Sequence, residues 1–241
     1  MLAAPLVGCV SGPQEIVWMA GQSNSLGRTT GHVGPVREDL HYWYHWLPFP
    51  EPPITALGDI EALRPPGWDP WIGGEYELGT RLGAHVCKTA RGSTALAAGV
   101  GSTGDWAPSG EEWPKAVASL RSFAALTGAR VSALVWNQWE TDALDVGATE
   151  SYESNLRALI DRARGEVGPL RVVITAASQR ATSRPAAHID MIRAAQRAVA
   201  SSVPGVAIVE TSGLAMEPDA AHYTPEAQRE LGRLCALEIA A

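Results

Sequence analysis

The chain has 241 residues, 46% of them hydrophobic and 19% charged, with a formal net charge of −7. This balance belongs to a soluble globular protein long enough to bury a large core and excludes a disordered chain. Acidic and basic residues are interspersed without a basic stripe, which argues against a nucleic-acid partner.

At the N-terminus, Leu6-Val7-Gly8-Cys9 resembles the end of a bacterial lipoprotein signal, in which the cysteine would be lipidated. Only eight residues precede Cys9 and none is Lys or Arg, so the stretch is not a complete signal peptide; residues 1–13 are read as a tail. No other segment is apolar enough to span a membrane. Residues 15–20 read as a buried first strand, which breaks abruptly into Gly21-Gln22-Ser23-Asn24-Ser25-Leu26-Gly27. A serine at such a break stands at the carboxyl edge of a sheet, where α/β proteins place ligands; the alternative is a turn with a solvated serine.

Residues 27–74 are rich in proline and read as a long irregular region, with Tyr42, Trp43, Tyr44, Trp46, Phe49, Trp68 and Trp71 packing it onto the body. A helix over 75–84, with Leu78 and Leu82 on one face, leads into a second strand, His85–Ala90. Arg91-Gly92-Ser93-Thr94 breaks that strand, and a glycine-rich loop containing Trp106 runs to Gly110. A helix over 111–126 ends at Gly128; residues 131–136 form a third strand that gives way to Asn137-Gln138-Trp139-Glu140-Thr141-Asp142. An amphipathic helix over 149–164, a fourth strand over 170–176, a helix over 185–201, a fifth strand, Val206–Val209, and a closing helix over 224–240 complete the chain.

Short apolar strands alternating with helices predict one α/β domain over residues 1–241, a three-layer α/β/α sandwich with a central five-stranded parallel sheet. Right-handed crossovers then place every strand's carboxyl end on one edge. Cys9, Cys87 and Cys235 are far apart without a C-x-x-C pair, and the six histidines show no metal-ligand spacing, so nothing calls for a disulfide framework, a metal or a cofactor. What reaches the common edge is Ser23 from strand one, Gly92-Ser93-Thr94 from strand two, Gln138 and Glu140 from strand three, and Asp219-Ala220-Ala221-His222 after strand five. A hydroxyl, an imidazole and two candidate carboxylates suit an activated nucleophile, and glycine-rich turns supply N–H groups for a developing oxyanion.

Gly21-Gln22-Ser23-Asn24 resembles the first block of the SGNH hydrolases in their sialate O-acetylesterase-like branch, which includes the family 6 carbohydrate esterases. The run from Lys88 to Ala97 is similar to that branch's second block, and Trp136-Asn137-Gln138-Trp139-Glu140-Thr141-Asp142-Ala143 to its Trp-His-Gln-Gly-Glu-Ser-Asp-Ala block. Asp219-Ala220-Ala221-His222, with Tyr223 to Gln228 and Gly232 after it, resembles the last block and final helix. The resemblance implies Ser23 as nucleophile and His222 as general base. It implies oxyanion donors from the Ser23 amide, the Gly92 or Ser93 amide and the Gln138 side chain. The third triad position is open between Asp219 and Glu140, with a slight preference for Asp219, three residues from His222. Gln22 and Asn24 belong to the candidate site, Asn24 chiefly as a turn stabiliser; Trp106 and Trp139 are candidate sugar-stacking faces against a default of core packing.

Ser93 and Trp139 replace glycines of the branch, Asn137 its histidine and Ser25 a frequent methionine. Trp139 is expected to reshape the pocket. The implied activity is hydrolysis of O-acetyl esters on a small or polymeric carbohydrate through an acyl-enzyme. An esterase or thioesterase for lipid or other small acyl esters is the alternative, and a catalytically silent carbohydrate-binding module a third reading.

Overall fold

Residues 15–27, 35–45, 61–63 and 73–241 are described by a computed structural model of the chain, so Cys9, Trp46, Phe49, Trp68 and Trp71 lie outside the described residues. Strand β1 (Glu15–Gly21) alternates, sending Ile16, Trp18 and Ala20 into one core and Val17 and Met19 into another. With both faces buried it takes the centre of the sheet, parallel to two strands that lie later in the chain. Beyond the long segment that follows β1, the expected parallel strands all form.

The sheet is nevertheless larger than expected, with seven strands in the order β3-β2-β4-β1-β5-β6-β7. These are β2 (Arg37–His45), β3 (Glu61–Leu63), β4 (His85–Ala90), β5 (Arg130–Asn137), β6 (Arg171–Thr175) and β7 (Val206–Val209). The region read as irregular therefore supplies an edge. Strand β2 adds parallel to β4, and β3 closes the edge antiparallel to β2. Its polar first half, Arg37-Glu38-Asp39, and the three-residue length of β3 hide the alternation that marks a strand, while Leu40, Tyr42 and Trp43 supply the buried contacts.

After the one-turn α1 (Ser23–Leu26) come α2 (Glu75–Leu82), α3 (Glu112–Thr127), α4 (Val146–Val167), α5 (Ala186–Ser202) and α6 (Pro225–Ala240). Helices α3, α4 and α5 bury Phe123, Tyr152, Leu156 and Ile192 in the core that holds Trp18; α2 and α6 bury Leu78, Leu231 and Cys235 in the core that holds Met19. This gives the three layers. Helix α4 begins earlier than its apolar pattern because Asp145 caps it, accepting from the Ala148 amide at 2.8 Å. Among the described residues no helix is long and apolar enough to cross a membrane. Parallel pairing of six strands brings the turns after β1, β4, β5, β6 and β7 to one edge.

Candidate active site

The turn that carries Ser23 begins where β1 must stop. Gly21 has φ 141°, and a Cβ there would stand 2.0 Å from the Asn137 carbonyl oxygen of β5, so only glycine fits. The Gln22 amide donates to that carbonyl at 3.0 Å, and the chain then winds into α1 through backbone bonds to the Gln22 and Ser23 carbonyls. Ser23, half-buried, opens this turn while Asn24, Ser25 and Leu26 are buried beneath it. Its far end is anchored: Lys88 Nζ donates to the Leu26 carbonyl and to Glu75 Oε1, each at 2.7 Å, and both side chains of the ion pair are fully buried.

On the other side of the edge, Asp219 organises a tight turn. Its Oδ1 accepts from the amides of Ala221 and His222 at 2.9 and 3.0 Å, and its Oδ2 lies 2.6 Å from His222 Nδ1. Burial opposes ionisation of Asp219, but the bonds from the His222 ring and the two amides outweigh it and hold the carboxyl at about 2. A carboxylate against Nδ1 fixes the N–H there and turns the Nε2 lone pair outward in the neutral ring.

Asn24 joins the two halves. Its Nδ2 donates to the Ala221 carbonyl at 2.9 Å and its Oδ1 accepts from the Tyr223 amide at 3.1 Å, so the neighbour of Ser23 grips the backbone on both flanks of His222. Glu140 is buried behind this clamp, where its Oε1 accepts from Asn24 Nδ2 and its Oε2 from the Trp139 amide at 3.2 Å. Burial raises its pKa against the opposing pull of Asn24. Arg184 Nε donates to the Glu140 carbonyl at 2.7 Å. Of the two carboxylates, Asp219 touches the imidazole and Glu140 touches Asn24.

The loop after β4 meets the Ser23 turn directly, since a Cβ on Gly92 would be 3.8 Å from that of Ser23. Thr94 Oγ1 holds the Arg91 carbonyl at 2.8 Å and Thr103 Oγ1 holds the Gly92 carbonyl at 2.5 Å. Each trans peptide therefore points its N–H away from the threonine that holds it. Among the described residues the amides of Ser23, Gly92 and Ser93 donate to no acceptor. Ser93 has φ 62°, a left-handed conformation that favours the glycine it replaces. Ser93→Gly is expected to raise stability by about 0.5–1 kcal/mol, the relief of strain exceeding the extra freedom of glycine in the unfolded chain, as thermal unfolding would report.

Gln138 is fully buried, and its Nε2 lies within reach of three protein acceptors: Gln22 Oε1 and the Thr94 carbonyl, both at 3.2 Å, and Asp142 Oδ2 at 2.5 Å. Three acceptors for two N–H bonds leave none for a ligand in this arrangement. Gln22 Oε1 also accepts from the Thr141 amide at 3.2 Å, which ties it inward. Neither tryptophan offers a face to a sugar: Trp139 is 0% exposed and Trp106 1%. Trp106 donates Nε1–H to Thr94 Oγ1 at 3.0 Å and meets Trp136 edge to face at 5.3 Å. Trp139 thus enlarges the core at the branch's glycine position rather than lining a pocket. Among the described residues no group of three or more His, Cys, Asp or Glu side chains is arranged to hold a metal ion.

Asp142, Arg184 and the Lys88–Glu75 pair were not singled out by the sequence. Asp142 lies in a conspicuous block, but besides Gln138 it takes the backbone amides of Leu96 and Ala97, and no side-chain pattern announces such contacts.

A sequence model of the family described as "SASA: Carbohydrate esterase, sialic acid-specific acetylesterase" matches residues 72–241. A probable carbohydrate esterase of Arabidopsis thaliana is 28% identical over 238 residues, covering 91% of this chain and 88% of that protein. The solved structure of an Arabidopsis thaliana protein superposes with a TM-score of 0.73 at 22% identity, over 95% of this chain and 98% of that one. A carbohydrate acetylesterase from Xanthomonas citri gives 0.70 at 17% identity, over 92% of this chain and 55% of that one. At these identities the two structures establish the three-layer fold.

Proposed function

We propose that this chain, which belongs to the sialic acid-specific acetylesterase family of carbohydrate esterases, removes acetyl groups from sugar hydroxyls as a serine esterase. Ser23 Oγ attacks the ester carbonyl carbon while His222 Nε2 takes its proton. The oxyanion that forms is met by the amides of Ser23, Gly92 and Ser93, where one donor is typically worth about 3 kcal/mol of barrier. His222 then returns the proton to the sugar oxygen as the C–O bond breaks, leaving acetyl-Ser23 and a free hydroxyl. Water, activated by the same imidazole, releases acetate and restores Ser23.

Asp219 keeps His222 in the tautomer with Nδ1–H and stabilises the imidazolium. Glu140 acts through Asn24 by fixing the clamp, and Gln138 braces Gln22 and Thr94 behind the oxyanion donors. The observation that supports the reading most is the grip of Asn24, the residue after Ser23, on the backbone at both flanks of His222, with Ser23 the one serine of the turn that is not buried.

The carboxyl of Asp219, held at about 2, lies below its unfolded value of about 3.9. Its bond to His222 is therefore fully present above about pH 4 and is lost only as pH falls through about 2. Asp219→Asn should lower kcat by roughly a hundredfold or more at neutral pH. Glu140→Gln should cost less, since it leaves the imidazole's own partner in place. A pH-rate comparison of the two variants checks both statements.

Acetate release from O-acetylated sialic acid and acetylated xylan, set against esters of rising acyl length, tests the substrate. Preference for acetyl on a sugar is expected. Faster turnover of long-chain lipid esters would replace this reading with the lipid-esterase alternative.

A further inference from the structure

The turn after β5 carries a carboxylate that the acyl-enzyme chemistry leaves without a task. Asp142 is fully buried and begins a short 3-10 turn. Its Oδ2 accepts from the Leu96 amide at 2.8 Å and its Oδ1 from the Ala97 amide at 2.9 Å, so one carboxylate captures two consecutive N–H groups of the loop after β4. Oδ2 also accepts from Gln138 Nε2, the atom that reaches Thr94 of the same loop and Gln22, the residue before Ser23.

We infer that Asp142 is a positioning residue for the oxyanion donors, holding the 92–97 loop in register with the nucleophile turn. This inference rests on the serine-esterase reading. The loop needs such a hold, because Ser93 sits at φ 62° and must be kept there by its surroundings. The loop is also held by its own far side, where Ala95 exchanges backbone bonds with Gly104 and Trp106, and Trp106 donates to Thr94 Oγ1; its ties toward the β5 turn run through the Leu96 and Ala97 amides and the Thr94 carbonyl, and these three meet at Asp142 and Gln138.

A buried anion costs free energy, so retaining one here calls for a benefit that an apolar side chain lacks. The benefit is directional: an ionised carboxylate accepts from several N–H donors at once, with charge-assisted strength. Its three donors are uncharged N–H groups. Burial pushes the carboxyl up to about 6, against the pull of Leu96, Gln138 and Ala97. The titratable side chain that interacts with it is Tyr152 of α4, whose hydroxyl donates to the Gln138 carbonyl. Protonation removes acceptor capacity from the hub, so the loop should loosen on mild acidification.

The test uses Asp142→Asn and the wild type. At pH 8 the variant should lose roughly a hundredfold in kcat, the scale expected of a small misplacement, with KM within about twofold. A purely structural role would lower the unfolding temperature and leave kcat of the folded protein unchanged; kcat within about twofold of wild type would overturn the inference.

Hydrogen exchange on the wild type keeps the test independent of the variant's folding. Protection of the Leu96 and Ala97 amides, corrected for intrinsic exchange, should drop between pH 8 and pH 5 relative to the β5 amides. Unchanged protection there would also overturn it. Ser23→Ala assayed alongside separates the two claims: if it retained turnover, the esterase reading would fail, whatever the exchange data gave.

Discussion

Ser23→Ala is expected to lower turnover of an acetyl ester by about ten-thousandfold or more, with the unfolding temperature almost unchanged. The structural half of this expectation follows from how the turn is held. Backbone bonds close α1, the side chains that fill the space beneath it are Asn24, Ser25 and Leu26, and the Ser23 side chain is only half-buried. Removing one hydroxyl there costs little stability, typically within about 0.5 kcal/mol. The catalytic half follows from the division of labour, since without Oγ neither acyl transfer nor its general base has anything to act on. His222→Ala should be about as damaging, and the double variant no worse than either single one, because groups that act as a unit are lost as a unit. Additive losses would show that the two residues work separately.

Lys88→Met is expected to lower stability by about 3–5 kcal/mol, a large share of what a domain of ordinary stability possesses. The ion pair with Glu75 is 2.7 Å long and fully buried, and Glu75 also accepts from Tyr42 Oη at 3.3 Å and from the Gly73 amide at 2.9 Å. Losing the ammonium leaves a carboxylate in the core without its counter-charge. Replacing both partners by apolar residues should recover most of the stability, as buried pairs often allow. It should not recover all of the activity, since the Leu26 carbonyl at the end of the Ser23 turn still lacks its donor. Urea unfolding of the single and double variants, with kcat measured on each, separates the two contributions. A single variant as stable as wild type would mean that the pair contributes nothing.

Much of the architecture was legible because it is written in local pattern. Strands β1, β4, β5, β6 and β7 are short apolar runs between helices of clear period, and such alternation has few solutions. The edge was not legible: β2 carries Arg37, Glu38 and Asp39 in its first half, and β3 is three residues long, so neither shows a strand's period. Around the site, residue types at turn positions pointed to Ser23, Asp219 and His222, because a strand's end and a four-residue turn confine where their side chains go. Buried partnerships were harder. Trp139 reads as a pocket residue when compared with a glycine, yet its side chain is fully buried in the core that also holds Trp136 and Tyr152. Gln138 reads as a donor toward substrate, whereas its amide faces Gln22, Thr94 and Asp142. Which way an amide points depends on neighbours distant in the chain, and no local spacing encodes that.

The most direct measurement is mass spectrometry of the protein after brief exposure to a serine-reactive phosphonate ester, with residual turnover followed in parallel. One adduct on the peptide containing Ser23, growing in step with lost activity and much slower to form in His222→Ala, is the predicted result. Complete inactivation with Ser23 unmodified, or full turnover with Ser23 fully labelled, would contradict a nucleophilic serine at this edge of the sheet.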